Sequence, residues 1–467
     1  MAQSNFLTAS LDAQKRQHGE SNVFMASEGA QLSVGIPLPS FSVMYLLDLD
    51  VLPLGRILGV AGPPASQKSS FAFEVVRWLM GAEGEAKLVE CEGGKYSPKL
   101  MRSIIGNKGV DEHFLIGRSD TIEEAQGHLS SALDLYEANP EAGMKSISAL
   151  VVDSLVGVTS EAVMKKHVDD GHASPEVAIQ AKGWSPFFKS YSSRIAGWPI
   201  VAVVVNHLKT KVNTSGRGGP PGRYTPGGDA QSFYAGLYLW MQRIASSERI
   251  TIVRNGERIN RFTETRRLKI ELQKSSLGTD GREIFVNFSW YHDEEGNQVS
   301  YFDWNASTCE LLLSMQGRHG YIDKQPADLC NLIDIDVSKG TGEKKYTSQA
   351  LGLEGVSDSE IGAAIDSNPE WIDKLCKFFN ITRHNKWTGA MPELEKKVKQ
   401  RKKKDEVVAN PDNRSYGKGE VVVTPVVWLD KDAKPILPDL TDSDVVRELD
   451  KARRRGKGKP PEGLETV

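Results

Sequence analysis

Nine consecutive residues have the types and the spacing needed to hold a polyphosphate. They run from Gly62 to Ser70 as Gly-Pro-Pro-Ala-Ser-Gln-Lys-Ser-Ser. Main-chain N–H groups at a helix N-terminus can surround phosphate oxygens, because unpaired donors coincide there with the positive end of the helix dipole. Lys68 would reach the β- and γ-phosphates, and the Ser69 hydroxyl would ligate Mg²⁺. The predicted nucleotide-binding residues are Gly62, Pro63, Pro64, Ala65, Ser66, Gln67, Lys68, Ser69 and Ser70.

Gln67 stands where the usual phosphate-loop pattern G-x-x-x-x-G-K-[ST] has its second Gly. A Gln side chain disfavours the positive φ angles that Gly adopts freely. The loop must therefore either avoid that conformation at this position or hold Gln67 in a strained one. The sequence leaves both options open.

Two acidic residues end predicted strands that follow this loop in the sequence. Glu92 ends the predicted strand 86–92, and Asp153 ends the apolar strand 147–153. Open α/β sheets bind ligands beyond the carboxyl ends of their parallel strands. Glu92 is therefore a candidate general base, and Asp153 is a candidate Mg²⁺ ligand beside Ser69. The alternatives are an exposed strand-end acid for Glu92 and a helix N-cap for Asp153.

The elements that would position these residues have the pattern of a buried parallel sheet. Residues 57–61 form an apolar strand that leads into the loop and an amphipathic helix, and 198–207 form another apolar strand with a polar end. A short strand is predicted at 237–241, and strands 267–272 and 283–290 have hairpin spacing. The sequence predicts an α/β fold, with a mainly parallel sheet flanked by helices and an antiparallel edge.

Residues 209–228 form a long segment rich in Gly and Pro that also carries basic residues. Such a segment cannot bury a core and is longer than an ordinary connection. A basic segment with an aromatic residue suits the backbone of single-stranded nucleic acid, and a flexible lid is the alternative. Its candidate nucleic-acid contacts are Lys209, Lys211, Arg217, Arg223 and Tyr224.

The composition is that of an ordinary globular protein of two or three domains. Its 467 residues are 39% hydrophobic, which supplies a sizeable core. Four scattered cysteines lack C-x-x-C spacing, and no apolar run approaches the roughly 18 residues of a membrane span. These features predict a cytoplasmic protein without a membrane partner. The net charge is -3, but the charge is unevenly distributed, with basic clusters in residues 396–404 and 451–459.

The pattern along the chain predicts four regions. Ser357, with Glu360 three residues later, has the form of a capping box and predicts the start of a helical stretch at 357–380. The regions are an N-terminal arm at 1–33, the core at 34–295, a smaller helix-rich domain at 296–395 and a polar, basic tail at 396–467.

Together these motifs resemble those of the RecA-type recombinases over about residues 34–290. The loop without its second Gly, and His207 directly after Asn206, resemble the phage UvsX branch more than bacterial RecA. The resemblance implies a RecA-like P-loop ATPase core with an N-terminal arm and a smaller C-terminal domain. The matching stretches follow the family's order and are 35–40, 53–56, 62–69, 90–92, 151–154, 205–207 and 227–230.

The resemblance also implies a role for each matching residue. Glu92 matches the glutamate that polarises the attacking water, Asp153 matches the acid at Mg²⁺, and His207 matches the residue that senses the γ-phosphate. Lys274 matches a lysine that contacts, across the subunit interface, the phosphates of the nucleotide bound to the neighbouring subunit. Tyr96 stands near the position where the family often stacks an aromatic ring on adenine. The matching DNA-binding loops are 157–185, with Lys165 and Lys166, and 209–228.

As a whole, the resemblance implies an ATP- and Mg²⁺-dependent recombinase that is a DNA-dependent ATPase. Its subunits would form a helical filament on single-stranded DNA and pair the bound strand with homologous duplex. The arm 1–33 would join subunits, and a loader and a single-strand-binding protein are implied partners in the cytoplasm of a prokaryotic or phage-infected cell. Two alternatives remain open: a hexameric helicase with a related core, and a nucleotide-gated DNA-binding filament with impaired hydrolysis.

Overall fold

The structure is a computed structural model that describes residues 34–94, 97–170, 176–210, 223–254, 258–293, 295–316, 332–338 and 344–389. The arm 1–33, the tail 396–467 and Tyr96 lie outside these residues. None of the described helices is long and apolar enough to cross a membrane.

The described strands and helices alternate through the first half of the chain. The strands are β1 (Val34–Pro37), β2 (Val51–Pro53), β3 (Arg56–Gly62), β4 (Glu85–Glu90), β5 (Phe114–Arg118), β6 (Ser148–Asp153), β7 (Ile200–His207), β8 (Lys209–Thr210), β9 (Arg223–Tyr224), β10 (Leu237–Arg254), β11 (Arg258–Ser275), β12 (Glu283–His292), β13 (Gln298–Phe302), β14 (Asp336–Ser338), β15 (Lys345–Ser348), β16 (Leu353–Val356) and β17 (Asn385–Lys386). The helices are α1 (Phe41–Leu47), α2 (Lys68–Met80), α3 (Pro98–Ile105), α4 (Asn107–His113), α5 (Ile122–Ala138), α6 (Pro140–Gly143), α7 (Glu161–Asp170), α8 (Glu176–Ile195), α9 (Ala230–Tyr234), α10 (Trp304–Gln316), α11 (Asp358–Asp366) and α12 (Pro369–Phe378).

One nine-stranded sheet positions the candidate site. Its spatial order is β13-β12-β11-β10-β3-β7-β6-β4-β5. The strands from β10 to β5 pair in parallel, whereas β10, β11, β12 and β13 pair with one another in antiparallel fashion. The predicted α/β class, with a mainly parallel sheet and an antiparallel edge, is confirmed. The hairpin predicted from 267–272 and 283–290 is also present, with Glu271 opposite Glu283.

The strand predicted at 237–241 is much longer than the sequence indicated. β10 and β11 form a hairpin of two 18-residue strands, but only residues 237–240 of β10 pair with β3. Because β10 is parallel to β3, the hairpin continues past the carboxyl ends of the parallel strands. The prediction of a strand ending at Met241 was wrong because the following residues lack the apolar alternation by which strands are recognised.

The sheet buries a hydrophobic core on each face. Leu58 and Val60 of β3 belong to one core, with residues of α1, α2 and α3, while Ile57 and Ala61 belong to the other, with residues of α5 and α8. This alternation follows from the period of two in a strand, and it explains why the central parallel strands read as continuous apolar runs. Helices on both faces hold β3, β4, β6 and β7 in register, so their carboxyl ends meet along one edge.

The C-terminal elements share the first of these cores. The Phe302 ring stacks on Trp304 with centroids 5.2 Å apart, and its edge meets Phe71 of α2. Trp304 Nε1 donates to the buried Glu74 carboxylate of α2 at 2.9 Å. Elements on both sides of the predicted boundary at residue 295 contribute side chains to this one core.

The capping box predicted at Ser357 is present. The Ser357 hydroxyl accepts from the Glu360 backbone N–H, and the Glu360 side chain accepts from the Ser357 backbone. The predicted helical stretch 357–380 nevertheless divides into α11 and α12. Asn368 caps α12 and Pro369 occupies its first turn, which favours a new helix start there.

Asp366, at the end of α11, is a partly buried acid that joins three helices. Its carboxylate accepts the Phe41 backbone N–H at 2.7 Å and the Thr308 hydroxyl at 3.0 Å. Burial raises the pKa of Asp366 to about 7 from its usual 3.8, although both hydrogen bonds oppose the rise. Because the folded-state pKa exceeds the unfolded one, this carboxyl contributes stability below about pH 4, and that contribution is lost as the pH rises to 7.

We therefore expect Asp366→Asn to stabilise the protein increasingly as the pH rises. Asn keeps an acceptor oxygen but cannot ionise, so the difference in unfolding free energy between variant and wild type should grow by about 1–3 kcal/mol from pH 5 to pH 8. Urea unfolding at several pH values measures this difference. Asp373→Asn is the control, since the Asp373 side chain is 48% exposed and Lys377 and Arg383 hold its pKa below the usual range. A pH-independent difference for Asp366→Asn would contradict the argument.

Candidate functional site

The phosphate loop runs from the end of β3 at Gly62 to the start of α2 at Lys68. A side chain at Gly62 would clash with the Met241 carbonyl and the Ser66 hydroxyl, so only Gly fits there. Gln67 has φ 64° and ψ 29°, and Ala65 also has a positive φ of 61°. Of the two options that the sequence left open, the loop therefore takes the strained one. The Ser70 hydroxyl donates to Gln67 Oε1 at 2.8 Å, which holds this side chain over the first turn of α2.

Lys68 lies inside the loop rather than in solvent. Its side chain is buried, and Nζ donates to the Pro63 carbonyl at 2.9 Å. Burial lowers the pKa of Lys68, while the nearby Asp153 and Glu92 carboxylates act to raise it. The Ser66 hydroxyl is also buried, with no hydrogen-bond partner among the described residues. A cation and an unpaired donor in one loop fit the oxygens of a polyphosphate.

Ser69 and Asp153 supply oxygen atoms suited to Mg²⁺. The Ser69 side chain hydrogen-bonds to Asp153, which ends β6 beside the loop. Burial and the Glu92 carboxylate raise the pKa of Asp153, while Ser69, Lys68 and His207 act to lower it. A hydroxyl and a carboxylate are hard ligands of the kind Mg²⁺ prefers, and a bound cation would offset the burial of this acid. The residues present therefore fit the predicted ion.

Glu92 lies at the centre of a short hydrogen-bonded chain beyond the ends of β4, β6 and β7. Its Oε1 accepts the Ser154 hydroxyl at 2.6 Å and lies 3.1 Å from His207 Nε2. Glu90, two residues earlier, instead accepts the backbone N–H groups of Glu92 and Gly94. Of the two acids at this strand end, Glu92 is thus the one that faces the sheet crevice. Ser154 belongs to the matching stretch 151–154 but had no predicted role, because its only signal in the sequence is its place directly after the strand-end acid.

The strand that carries His207 is tied to the phosphate loop. The Leu208 backbone N–H donates to the Gly62 carbonyl at 3.0 Å. The next residues form the two-residue strand β8, which pairs with β9 so that Lys209 lies opposite Tyr224 and Thr210 opposite Arg223. The two ends of segment 209–228 are therefore joined to each other directly beside the candidate site.

The comparison with known families agrees with this arrangement. The RecA N-terminal domain family matches residues 5–277, which is more than half of the chain. The chain belongs to the RecA N-terminal domain family. It is 27% identical over 239 residues to Protein RecA of Acholeplasma laidlawii, covering 51% of this chain and 66% of that protein. It is 26% identical over 261 residues to Protein RecA of Clostridium novyi (strain NT), covering 53% and 69%.

A plant relative matches a shorter part of this RecA-family chain. The mitochondrial DNA repair protein recA homolog 3 of Arabidopsis thaliana is 28% identical over 206 residues, covering 44% of each protein. The matches thus span about two thirds or less of these relatives' lengths. The closer likeness to the phage UvsX branch stays a prediction.

Lys274 lies away from the phosphate loop of its own subunit. Tyr238 of β10 pairs with Gly59 on one side and with Lys274 on the other. Lys274 is therefore two strands, or about 10 Å, from β3 and level with a residue well before the loop. Its Nζ donates to the carbonyls of Ser232, at 2.8 Å, and Phe233. The structure does not bring Lys274 to the other site residues within one subunit.

The first predicted DNA segment, 157–185, is largely helical in this RecA-family chain. Within it, α7 ends at Asp170, and α8 begins at Glu176 and continues to Ile195. Trp184 is fully buried and stacks on Phe188, so these two side chains face the core. Trp184, Phe188 and Tyr191 have the spacing of a buried helix face. The role of 157–185 as a DNA-binding segment stays a prediction.

The predicted DNA contacts are only partly described. Lys165 on α7 is exposed and lies 3.5 Å from Glu161. Lys209 and Arg223 are exposed on the β8–β9 ribbon, and Arg223 Nη1 donates to Gln242 Oε1 at 3.3 Å. Tyr224 is partly buried opposite Lys209. Lys211 and Arg217 lie outside the described residues, and for Lys166 only the backbone is described.

Proposed function

We propose that this protein is an ATP-dependent recombinase that forms helical filaments on single-stranded DNA and pairs the bound strand with homologous duplex. The observation that carries the proposal is the contact between Glu92 and His207 at 3.1 Å, because His207 lies two residues before the basic segment 209–228. The His207 side chain therefore contacts the candidate catalytic acid, Glu92, and the candidate DNA segment begins two residues after His207. Membership of the RecA family supports the same function.

The chemistry proposed for the site is DNA-dependent hydrolysis of ATP. Glu92 would orient the attacking water and accept its proton, while Ser154 and His207 hold the carboxylate in place. Lys68 would neutralise charge that develops on the transferred phosphoryl group. Ser69 and Asp153 would hold Mg²⁺, which would supply further positive charge at the phosphates. His207 would exchange its contact with Glu92 for the γ-phosphate when ATP binds.

The conformation of Gln67 helps to decide whether the protein hydrolyses ATP or is a nucleotide-gated filament with impaired hydrolysis. Gln67 takes the left-handed conformation that a Gly would take, and Lys68 and Ser69 still lie against the loop carbonyl and Asp153. The geometry around Gln67 therefore supports an active ATPase rather than a nucleotide-gated scaffold.

Electron microscopy with single-stranded DNA and a non-hydrolysable ATP analogue tests the proposal. We expect helical filaments, together with ATP turnover that rises when single-stranded DNA is added. Closed rings would instead indicate the hexameric helicase. Filaments with no turnover would indicate the impaired scaffold. A loader and a single-strand-binding protein are the partners expected to assist assembly.

Lys274 is predicted to act only on the nucleotide of a neighbouring subunit. Lys274 is too far from the phosphate loop of its own subunit to reach the nucleotide bound there. It could reach the phosphates bound to a neighbouring subunit, which need several cations. Lys274→Ala and Lys68→Ala should each be inactive alone, and mixing them should restore some ATP turnover at junctions that pair an intact loop with an intact lysine. Turnover at several mixing ratios measures this recovery. If co-assembled subunits show none, Lys274 does not act across the interface.

DNA affinity that depends on ATP is predicted to reside in segment 209–228 and not in the tail 396–467. Replacing Lys209, Lys211, Arg217 and Arg223 with Ala should abolish the extra affinity gained with ATP, since this segment begins two residues after His207. Removing the tail should weaken binding equally in all nucleotide states, and each lost phosphate contact should reduce the log–log salt slope by about 0.7. Fluorescence anisotropy on a labelled oligonucleotide measures the DNA affinity of both variants with an ATP analogue, with ADP and without nucleotide. The opposite pattern would assign the coupled site to the tail.

A further inference from the structure

We propose that two buried amide side chains, Asn206 and Gln231, form the positioning device that couples the nucleotide state to segment 209–228. The inference rests on the proposed function, because it concerns how the two sites of that function communicate. Asn206 directly precedes His207 at the end of β7, and Gln231 lies in α9. Their exposed fractions are 1% and 3%, so both side chains act on each other and on nearby backbone rather than on solvent.

The amide groups of this pair are joined in one hydrogen-bonded cluster. Asn206 Nδ2 donates to Gln231 Oε1 at 2.6 Å and to the Pro226 carbonyl at 2.9 Å. Gln231 Nε2 donates to the same Pro226 carbonyl at 2.9 Å and to the Gly228 carbonyl at 3.2 Å. Asn206 Oδ1 accepts the His207 backbone N–H at 2.7 Å. Every polar atom of the two side chains is therefore engaged, and both converge on Pro226.

The cluster connects the candidate γ-phosphate sensor with the far end of the DNA segment. The His207 ring contacts Glu92, while its backbone N–H is held by Asn206. Pro226 and Gly228 end segment 209–228, and Gly228 has a φ of 81° that other residues adopt only with strain. A Cβ atom at Gly228 would lie 3.0 Å from Cβ of Ala181 in α8. The end of the segment is thus held in one defined place.

Burial makes this connection stiff. A movement of the His207 backbone toward a γ-phosphate must either carry Asn206 with it or leave a buried acceptor unpaired, which costs more than an exposed hydrogen bond would. The pair is therefore expected to move together and to shift the Pro226 carbonyl. Nothing in the sequence marks Gln231, because a single Gln in a five-residue helix looks like a solvent-exposed polar residue.

Gln231→Leu tests the device, because it removes three hydrogen bonds and keeps a side chain of similar volume. The affinity for a single-stranded oligonucleotide would be measured by anisotropy with an ATP analogue and with ADP. The ratio of these affinities should fall by at least about tenfold in the variant, within the usual range of coupling between sites. ATP turnover without DNA should stay within about threefold of wild type, because no nucleotide contact changes. A purely structural role would lower both quantities together.

The matched control is the same substitution at Gln298 on β13. Gln298 Nε2 donates to the Ser300 hydroxyl at 3.1 Å, far along the sheet from the cluster. Gln298→Leu should keep the wild-type affinity ratio. If Gln231→Leu also keeps it, the inference is wrong and the proposed function stands. If wild-type protein shows no nucleotide-dependent DNA binding, the proposed function itself fails.

Hydrogen exchange on the wild-type protein tests the same point if Gln231→Leu does not fold. The backbone amides of 206–208 and 223–231 should change their protection together between the ATP analogue and ADP. A change confined to 206–208, or no change in either segment, would overturn the inference.

Discussion

Glu92→Gln should slow ATP turnover by a factor of about 10²–10⁴ while nucleotide binding stays within about twofold of wild type. A carboxylate that serves as general base contributes roughly this much to a rate, and an amide cannot accept the proton of the attacking water. The substitution should disturb little else. A Gln oxygen in the place of Glu92 Oε1 can still accept the Ser154 hydroxyl and still lies beside His207 Nε2. Turnover and binding of a fluorescent nucleotide, measured in parallel, separate the two effects.

Glu90→Gln is the matched control for this prediction. Glu90 is the other acid at the end of β4, but its carboxylate accepts the backbone N–H groups of Glu92 and Gly94. Gln can accept the same donors, so turnover should stay within a few-fold of wild type. Equal losses in the two variants would mean that the turn after β4, and not the Glu92 carboxylate, is what hydrolysis needs. Loss of nucleotide binding in Glu92→Gln would make Glu92 structural.

The parallel half of the sheet was predictable because both of its faces are covered. The strands β6 and β7 are buried on both sides and therefore read as continuous apolar runs that end in Asp153 and His207. The β10–β11 hairpin was not predictable by the same rule. β10 leaves its neighbour β3 beyond Trp240, and its residues 243–247 are exposed, so this part of the sequence carries no core-facing pattern.

The candidate site was predictable where strand ends carry reactive side chains, and not where it depends on tertiary contacts. Lys68, Asp153, Glu92 and His207 follow from motif and strand order, and the structure brings them together. The conformation of Gln67 could not be deduced, because it depends on whether the surrounding loop over-determines a strained residue. Hydrogen-bond partners such as Ser154 are set by side-chain packing, which spacing in the sequence does not reveal.

Lys68→Ala should reduce ATP turnover to background, a loss of at least about 10²–10³-fold, while the protein still folds. The side chain supplies the positive charge enclosed by the loop, and removing a preorganised group of this kind typically costs that much in rate. It would also leave Asp153 and Glu92 without the cation that now acts on them. Nucleotide binding should weaken as well, because Lys68 contacts phosphates before and during the reaction.

Lys87→Ala is the matched control. It distinguishes the loss of positive charge at the phosphates from the loss of a partly enclosed lysine elsewhere in the fold. Lys87 on β4 also has its pKa lowered by burial, and its Nζ donates to the His128 carbonyl at 3.1 Å, as that of Lys68 does to Pro63. Its removal likewise deletes a half-buried ammonium group bonded to a carbonyl, and it should leave turnover within a few-fold of wild type. Thermal unfolding and steady-state hydrolysis with single-stranded DNA measure stability and turnover for both variants. Wild-type turnover in a folded Lys68→Ala protein would show that the loop at 62–69 is not the phosphate site, because no other described residue on this loop supplies a positive charge to the phosphates.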